Sequence, residues 1–196
     1  MRPSVFIIFG ITGDLARRKV LPSLYNLAKD GLLPEPTYLV GTSRRPMDAQ
    51  ALKTEIAEAV QAATGQPADQ AVIDRLQPSM VTLDPAKAED YRGLKDHLEQ
   101  LQVEQRLFYL SIPPEVYGQV VNYLGEQGLN QGPGPVRLLV EKPFGTDLAS
   151  AQALIDLTAK HFTEDQIMRI DHYLAKETAQ NILTFRARNP LFNRIW

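Results

Sequence analysis

The residues best suited to chemistry lie close together in the segment Arg169-Ile-Asp-His-Tyr-Leu-Ala-Lys176. If a helix begins near Asp171, His172 and Lys176 lie four residues apart on one face, at the positive end of the helix dipole. Tyr173 adds a hydroxyl donor to this set. Donors of these types suit an anionic group such as a phosphate. A lone His172 would be better interpreted as a structural histidine, but its neighbours favour phosphate binding.

A second candidate is Lys142, which follows the apolar run from Val136 to Val140. A lysine that emerges from a buried strand meets a low dielectric and must find an anion or several hydrogen-bond partners. The structural alternative is that Lys142 pairs with Glu141 or with another acid at the sheet edge. Because the next residue is Pro143, which governs how the lysine points, we expect the Lys142–Pro143 bond to be cis.

The first turn of the chain carries a phosphate-binding pattern. The apolar run from Val5 to Phe9 predicts a strand buried on both faces, which ends at Gly10, and Gly13 follows where a helix begins. Such a turn lets the backbone approach a phosphate, and the helix N-terminus favours the anion. Thr12 and Leu15 replace two glycines of the common fingerprint, so a turn without a ligand fits this stretch equally well. The candidate contacts are Gly10, Ile11, Thr12, Gly13, Asp14, Leu15 and Ala16.

The end of the second predicted strand, residues 37–40, indicates which dinucleotide would bind. An acid there holds the ribose hydroxyls of NAD, whereas a cation accepts the 2′-phosphate of NADP. Arg44 and Arg45 follow this strand without an acid, and planar guanidinium groups suit a phosphate. The pair favours NADP, with NAD as a weaker alternative, although two arginines beside Pro46 would also suit a solvated turn.

Apolar periodicity predicts strands that alternate with helices. The strands are predicted over residues 5–9, 37–40, 79–83, 105–111, 136–140 and 166–170, and the helices over 20–32, 48–63, 68–76, 86–101, 114–127, 147–161 and 174–185. This alternation predicts an α/β protein with a Rossmann-type doubly wound parallel sheet and helices on both faces. Ligands of such sheets bind outside the carboxyl ends of the strands, so the candidate residues should meet at one rim.

The composition is that of an ordinary soluble globular protein, with 44% apolar and 22% charged residues among 196. A formal charge of −2 provides no long-range field for nucleic acid or an anionic membrane, and neither partner is expected. The absence of cysteine excludes disulfides, thiolate metal sites and thiol catalysis, and no metal site is predicted. With no signal peptide and no run of membrane-spanning length, a cytoplasmic protein is expected.

Three motifs in this order resemble the coenzyme-binding half of glucose-6-phosphate dehydrogenase. They are Gly10-Ile-Thr-Gly-Asp-Leu-Ala16, Val140-Glu-Lys-Pro-Phe-Gly-Thr146 and Met168-Arg-Ile-Asp-His-Tyr-Leu-Ala-Lys-Glu177. The resemblance implies an NADP-binding Rossmann-like domain over residues 1–185 and, in residues 186–196, the start of a connection to a C-terminal domain that this chain lacks. Members of this family oxidise glucose 6-phosphate with NADP in the pentose phosphate pathway, and some also use NAD.

The resemblance implies coenzyme contacts for several residues. The residue that matches Arg44 binds the 2′-phosphate of NADP. The segment from Tyr109 to Pro114 matches the family segment that runs along the coenzyme, so Tyr109, Ser111 and Pro113 are candidate contacts. The family usually has alanine where Ser111 stands. A core aromatic of the fourth strand fits Tyr109 equally well.

The resemblance also implies how the substrate is held. Lys142 would bridge the sugar hydroxyls and the nicotinamide end of the coenzyme, while His172, Tyr173 and Lys176 would bind the 6-phosphate. Asp171 would orient a catalytic histidine that lies beyond Trp196. The remaining histidines, at positions 97 and 161, are interpreted as solvated, so we expect the chain to bind coenzyme and to turn over little or nothing. Homo-oligomers are expected only for the full-length protein.

Two alternatives stay open. The chain could be a stand-alone dinucleotide-binding or regulatory module that kept the fold and lost the chemistry; Lys142 and the segment from Asp171 to Lys176 argue against this, because a pure coenzyme binder has no use for them. It could also be a dehydrogenase of another sugar, because Glu-Lys-Pro ends a strand in enzymes of the glucose–fructose oxidoreductase type as well.

Overall fold

The chain is organised around a six-stranded parallel sheet. The structure, a computed structural model, describes residues 2–143, 145, 147–171, 173 and 176–189. The strands are β1 (Ser4–Phe9), β2 (Thr37–Ser43), β3 (Pro78–Thr82), β4 (Gln105–Leu110), β5 (Val136–Glu141) and β6 (Ile167–Ile170). Every neighbouring pair is parallel, in the order β3-β2-β1-β4-β5-β6. The predicted doubly wound α/β fold is therefore confirmed.

Helices cover both faces of this sheet. They are α1 (Leu21–Lys29), α2 (Ala49–Thr64), α3 (Gln70–Arg75), α4 (Asp90–Gln100), α5 (Tyr117–Glu126), α6 (Leu148–His161) and α7 (Glu177–Arg188). Helices α1, α2 and α3 form one core with Ile8 and Leu39, and α4 and α5 form the other with Val5, Ile7 and Phe9. Because β1 contributes to both cores, its sequence is an unbroken apolar run.

Strand β2 is longer than predicted. The sequence pattern ends the strand before Gly41, but the structure continues it to Ser43, because Gly41 pairs with Ile8 of β1 and with Met80 of β3. This glycine permits close approach and is not part of a turn: a Cβ there would lie 2.6 Å from the Met80 Sδ. Arg44 therefore follows the last residue of the strand directly.

The last helix begins later than predicted. Asp171, Tyr173 and Lys176 are not helical, and α7 begins at Glu177. The Asp171 carboxylate instead accepts a hydrogen bond of 2.9 Å from the Tyr173 backbone N–H, and such local bonds compete with helix formation. Lys176 therefore lies before the helix, and His172, the other residue expected on that helical face, lies outside the described residues.

Candidate functional site

The structure brings the candidate strand ends to one rim of the sheet. Gly10, Arg44, Ser111, Lys142 and Asp171 each come directly after the last residue of a strand, namely β1, β2, β4, β5 and β6. Because all the strands are parallel, these positions share the carboxyl edge of the sheet. The prediction that they meet at one rim is confirmed.

Close backbone contacts shape the turn after β1. Gly10 has a φ of 75°, and its carbonyl accepts a hydrogen bond of 2.9 Å from the Gly13 N–H. A Cβ on Gly10 would lie 2.5 Å from the Ser111 carbonyl oxygen, so only glycine fits where the tips of β1 and β4 touch. The Arg17 N–H donates to the Gly13 carbonyl over 3.0 Å. A helix therefore opens at the rim, where its first N–H groups suit an anion.

A groove of about 400 Å³ runs along the rim, and we call it the rim groove. It joins the turn after β1 to the end of β2. Six of the predicted coenzyme contacts line it: Gly10, Thr12, Gly13, Arg44, Ser111 and Pro113. The volume of this groove and the polar groups that line it, such as those of Thr12, Arg44 and Ser111, suit part of a dinucleotide.

Arg44 stands at the end of the rim groove without a carboxylate partner. Its side chain is exposed, and no acid in the described part of the chain forms an ion pair with it. Asp84 also lines the groove, but its carboxylate accepts a hydrogen bond of 3.1 Å from the Ala86 N–H and closes its own turn. The guanidinium of Arg44 is thus available to an anion.

Ser111 supplies the clearest sign that the rim groove fits a polar ligand. The residue is 7% exposed, and its Oγ is buried with no hydrogen-bond partner among the described residues. Such hydroxyl groups are uncommon and costly in proteins. A ribose or a phosphate in the groove would offer this hydroxyl the partner that the protein does not provide.

Tyr109 and Leu15 line a different concavity, which we call the open trench. It has a volume of about 660 Å³ and lies on the face of the sheet that carries α1, beside β4, β5 and β6. Within it the Tyr109 hydroxyl donates a hydrogen bond to the Glu141 carboxylate. Burial, and then this hydrogen bond, raise the pKa of Tyr109, so the phenol is the donor of the pair at neutral pH.

Lys142 forms an ion pair with Asp171 at the other end of the rim, with 2.5 Å between Nζ and Oδ2. The Lys142–Pro143 bond is cis, as predicted. The Lys142 side chain is 53% exposed and that of Asp171 is 26% exposed, so solvent weakens the pair. Close by in sequence, the Lys176 Nζ lies 4.4 Å from the centre of the Tyr173 ring.

The other candidates in the turn and after β2 lie apart from the rim groove. Ile11 and Ala16 are buried in the core that contains α1, so only their backbone could meet a ligand. Asp14 lies 3.5 Å from Arg18 and is highly exposed. Arg45 is exposed, and its carbonyl accepts a hydrogen bond from the Ser43 hydroxyl.

The interpretation of the histidines at positions 97 and 161 as solvated was wrong. Both are partly buried. His97 Nε2 lies 2.9 Å from the Ser79 hydroxyl, and burial lowers the pKa of His97. His161 Nε2 lies 3.2 Å from Asn122 Oδ1. Each of them connects a helix to a neighbouring element, and neither lines the rim groove or the open trench.

The sequence reasoning missed the contribution of β3 and α5 to the rim groove. Asp84, Pro85 and Ala86 line it just after β3, and Gln119 lines it from α5. The rule that ligands bind at the carboxyl ends of strands could have found the first three residues, because they follow the third predicted strand. Nothing in the sequence distinguishes Gln119 from the other exposed residues of its helix.

A family model matches most of the chain. Residues 7–181 match the model for the glucose-6-phosphate dehydrogenase, NAD binding domain. The chain belongs to this family. By that description, the glucose-6-phosphate dehydrogenase domain binds a nicotinamide dinucleotide, and the resemblance inferred from the three motifs is confirmed.

Curated relatives come from the same family. Glucose-6-phosphate 1-dehydrogenase 2 of Mycobacterium tuberculosis is 42% identical over 203 residues, which cover 99% of this chain and 40% of that protein. Glucose-6-phosphate 1-dehydrogenase of Bacillus subtilis is 37% identical over 195 residues, which cover 98% of this chain and 40% of the relative. The chain thus spans about 40% of the length of these relatives.

Solved structures share the fold. A glucose-6-phosphate dehydrogenase in complex with its substrate glucose-6-phosphate superposes with a TM-score of 0.86 at 34% identity, over 97% of this chain and 41% of the other. Glucose-6-phosphate 1-dehydrogenase from Mycobacterium avium superposes with a TM-score of 0.85 at 32% identity, over 100% and 42%. Among the described residues, no helix is both long enough and apolar enough to cross a bilayer; the expected cytoplasmic location stays a prediction.

Proposed function

We propose that this chain binds NADP in the rim groove and presents the nicotinamide end to glucose 6-phosphate beside Lys142. One observation carries the proposal: a single groove joins the turn at Gly10 and Gly13 to Arg44. The turn offers N–H groups to the pyrophosphate, and Arg44 offers a planar guanidinium to the 2′-phosphate. The family description supports the class of coenzyme.

The preference for NADP over NAD depends on the residues that follow β2. Arg44 comes first and forms no ion pair with an acid among the described residues; the Asp84 carboxylate, which also lines the groove, accepts a hydrogen bond within its own turn. A site that selects NAD usually places an acid at this position for the ribose hydroxyls. NAD is therefore proposed only as a weaker alternative.

We place the sugar phosphate at the other end of the rim. Lys142 and Asp171 pair there, and Tyr173 and Lys176 follow in the chain. Ammonium and hydroxyl groups suit the 6-phosphate and the hydroxyls of a sugar. His172 is proposed for the same phosphate on the family resemblance alone. The solved relative that contains glucose-6-phosphate supports this choice of substrate.

The proposed reaction of the intact enzyme is hydride transfer from C1 of glucose 6-phosphate to NADP, which gives 6-phosphogluconolactone. Bound NADP supplies the hydride acceptor. In this chain, Lys142 would donate a hydrogen bond to a sugar hydroxyl, and Asp171 would fix the direction of Lys142. The C1 hydroxyl proton needs a base. By the family resemblance we place that base outside the coenzyme domain of residues 1–185, with residues 186–196 as the start of the connection toward it.

Charge reversal at Arg44 tests the coenzyme assignment. Charge-assisted hydrogen bonds contribute about 1.5–3 kcal/mol, so Arg44→Glu should weaken NADP binding roughly tenfold to a hundredfold. NAD binding should change little, because NAD lacks the 2′-phosphate. Isothermal titration of the wild-type and variant chains with both coenzymes gives the four dissociation constants.

Arg45→Glu is the matched control, because it makes the same change of charge one residue along the chain, outside the lining of the rim groove. We expect a smaller effect from it than from Arg44→Glu. Equal affinity of the wild-type chain for NAD and NADP, together with no loss in Arg44→Glu, would refute the assignment of the 2′-phosphate to Arg44.

A further inference from the structure

Glu141 is a buried carboxylate that the proposed coenzyme and sugar contacts leave without a task. It is 6% exposed, at the last position of β5 and directly before Lys142. A carboxylate is costly to bury unless hydrogen bonds compensate it. Tyr109 provides one such bond through its hydroxyl.

Tyr109 and Glu141 lie at the rim end of the open trench. Tyr109 pairs in register with Leu139, two residues before Glu141, so the side chains of Tyr109 and Glu141 share one face of the sheet. Leu15, from the turn after β1, lines the same trench. The Tyr109–Glu141 pair is therefore placed between the proposed pyrophosphate site and Lys142.

The strand order decides which half of a dinucleotide approaches this pair. Strands β2 and β4 lie on opposite sides of β1. If Arg44, after β2, holds the adenosine half, the nicotinamide half must leave the turn on the side of β4 and β5. That path leads past Leu15, in the turn after β1, and Tyr109, near the end of β4, to Glu141 and Lys142 at the end of β5.

We propose that Glu141 determines the preference of this site for the oxidised over the reduced coenzyme. The oxidised nicotinamide ring carries one positive charge, which the addition of hydride removes. A buried carboxylate beside the ring attracts the charged form and has no such attraction for the neutral form. The Tyr109 hydroxyl holds the carboxylate in place. This inference rests on the proposed function, since it requires the coenzyme in the rim groove.

The test compares the two redox forms on the 196-residue chain. Dissociation constants of NADP⁺ and NADPH are measured for the wild type and for Glu141→Gln, which keeps the shape of the side chain and removes its charge. We expect NADP⁺ to lose about tenfold more affinity than NADPH. Adenosine 2′,5′-bisphosphate lacks the nicotinamide half, and its affinity should stay at the wild-type value.

Three further variants separate charge from structure. Tyr109→Phe keeps the negative charge of Glu141 but removes the bond that holds it, so NADP⁺ should lose some of its advantage over NADPH, but less than in Glu141→Gln. Glu141→Asp keeps the charge and should restore most of the wild-type ratio. Glu115→Gln removes an exposed carboxylate from the short helical turn that begins at Pro114, close to the rim groove, and should leave the ratio unchanged because solvent screens that charge.

Equal losses of NADP⁺ and NADPH affinity in Glu141→Gln would overturn the inference and leave Glu141 with a structural role. A wild-type chain that fails to bind adenosine 2′,5′-bisphosphate would instead contradict the proposed function. If Glu141→Gln does not fold, the double variant Tyr109→Phe/Glu141→Leu leaves neither polar group unpaired. The ratio of its dissociation constants for NADP⁺ and NADPH is then compared with the same ratio for Tyr109→Phe. The same change of about tenfold is expected.

Discussion

Ser111 differs from the exposed polar residues of the rim because its hydroxyl is buried and has no partner among the described residues. A buried hydroxyl without a partner costs stability in the absence of a ligand. The same group can donate a hydrogen bond to a ribose or a phosphate. Ser111 therefore links the stability of the free chain to the binding of its proposed ligand.

Ser111→Ala should raise the free energy of unfolding of the ligand-free chain by about 1 kcal/mol, because it removes an unsatisfied buried hydroxyl. It should also reduce the stabilisation that saturating NADP provides. Urea unfolding with and without NADP measures both effects. Ser79→Ala is the control: the Ser79 hydroxyl has His97 as a partner, so its removal should lower stability. A loss of stability in both variants would contradict this account of Ser111.

The location of a single residue could be predicted from the sequence when the residue comes directly after a predicted strand. Lys142 follows the largely buried strand β5 and Asp171 follows the edge strand β6, and the structure places both at the rim. Tyr109 could not be placed by this means, because its neighbours on both faces of β4 are apolar. The alternation of side chains along the strand therefore does not show which face lines the open trench. The unbonded Oγ of Ser111 depends on the packing of β1 against β4 and leaves no trace in the sequence.

At the level of secondary-structure elements, the turn between β1 and α1 has two separate reasons to contain glycine. Its backbone has a positive φ at Gly10, and the same residue touches the backbone of Ser111. Gly31, after α1, has a similar φ of 67° but no atom within 4 Å of a Cβ placed there. The two positions thus separate backbone strain from steric contact.

Gly31→Ala should cost about 1–2 kcal/mol of stability, the usual penalty of a side chain at positive φ. Gly10→Ala should cost about 1–3 kcal/mol more, because the added methyl group collides with a backbone that cannot move aside easily. Chemical denaturation of the two variants measures the difference. Equal costs would mean that the tip of β4 yields to the new side chain and that the contact is not tight.

Element boundaries were less predictable than element order. Strand β2 extends past Gly41 because strands on both sides pair with it, and a propensity rule cannot include such pairing. Asp171 uses its carboxylate to close a turn, which delays α7. The half-buried His97 was missed because α4 has a strongly charged sequence, while its contact with Ser79 of β3 depends on how the helix lies on the sheet.

At the level of the whole molecule, the alternation of strands and helices was enough to predict the sheet and the rim. The pattern fixes parallel neighbours and right-handed crossovers, so few topologies remain. It could not show that α1, α2 and α3 leave β4, β5 and β6 open on their face, because helix length and tilt decide that coverage. The open trench, and with it the Tyr109–Glu141 pair, therefore became visible only in the structure.

The 196-residue chain should show little or no oxidation of glucose 6-phosphate by NADP. His97 and His161 are bonded to Ser79 and Asn122, so neither is a base for a substrate at Lys142. The formation of NADPH, followed by absorbance with the chain at high concentration, measures the residual rate. Free glucose in place of glucose 6-phosphate gives the background. Turnover clearly above that background would show that the chain contains its own base.

Strand β1 contributes residues to both cores of the molecule, and this has a consequence for folding during synthesis on the ribosome. The core that contains α1, α2 and α3 draws its fully buried residues from positions 8–76, so the nascent chain can close it early. The opposite side of the same strand, with Val5, Ile7 and Phe9, packs with Val40 and otherwise needs partners from positions 83–162. During that interval we expect Val5, Ile7 and Phe9 to be exposed to solvent, and a chaperone that binds extended apolar segments would bind there.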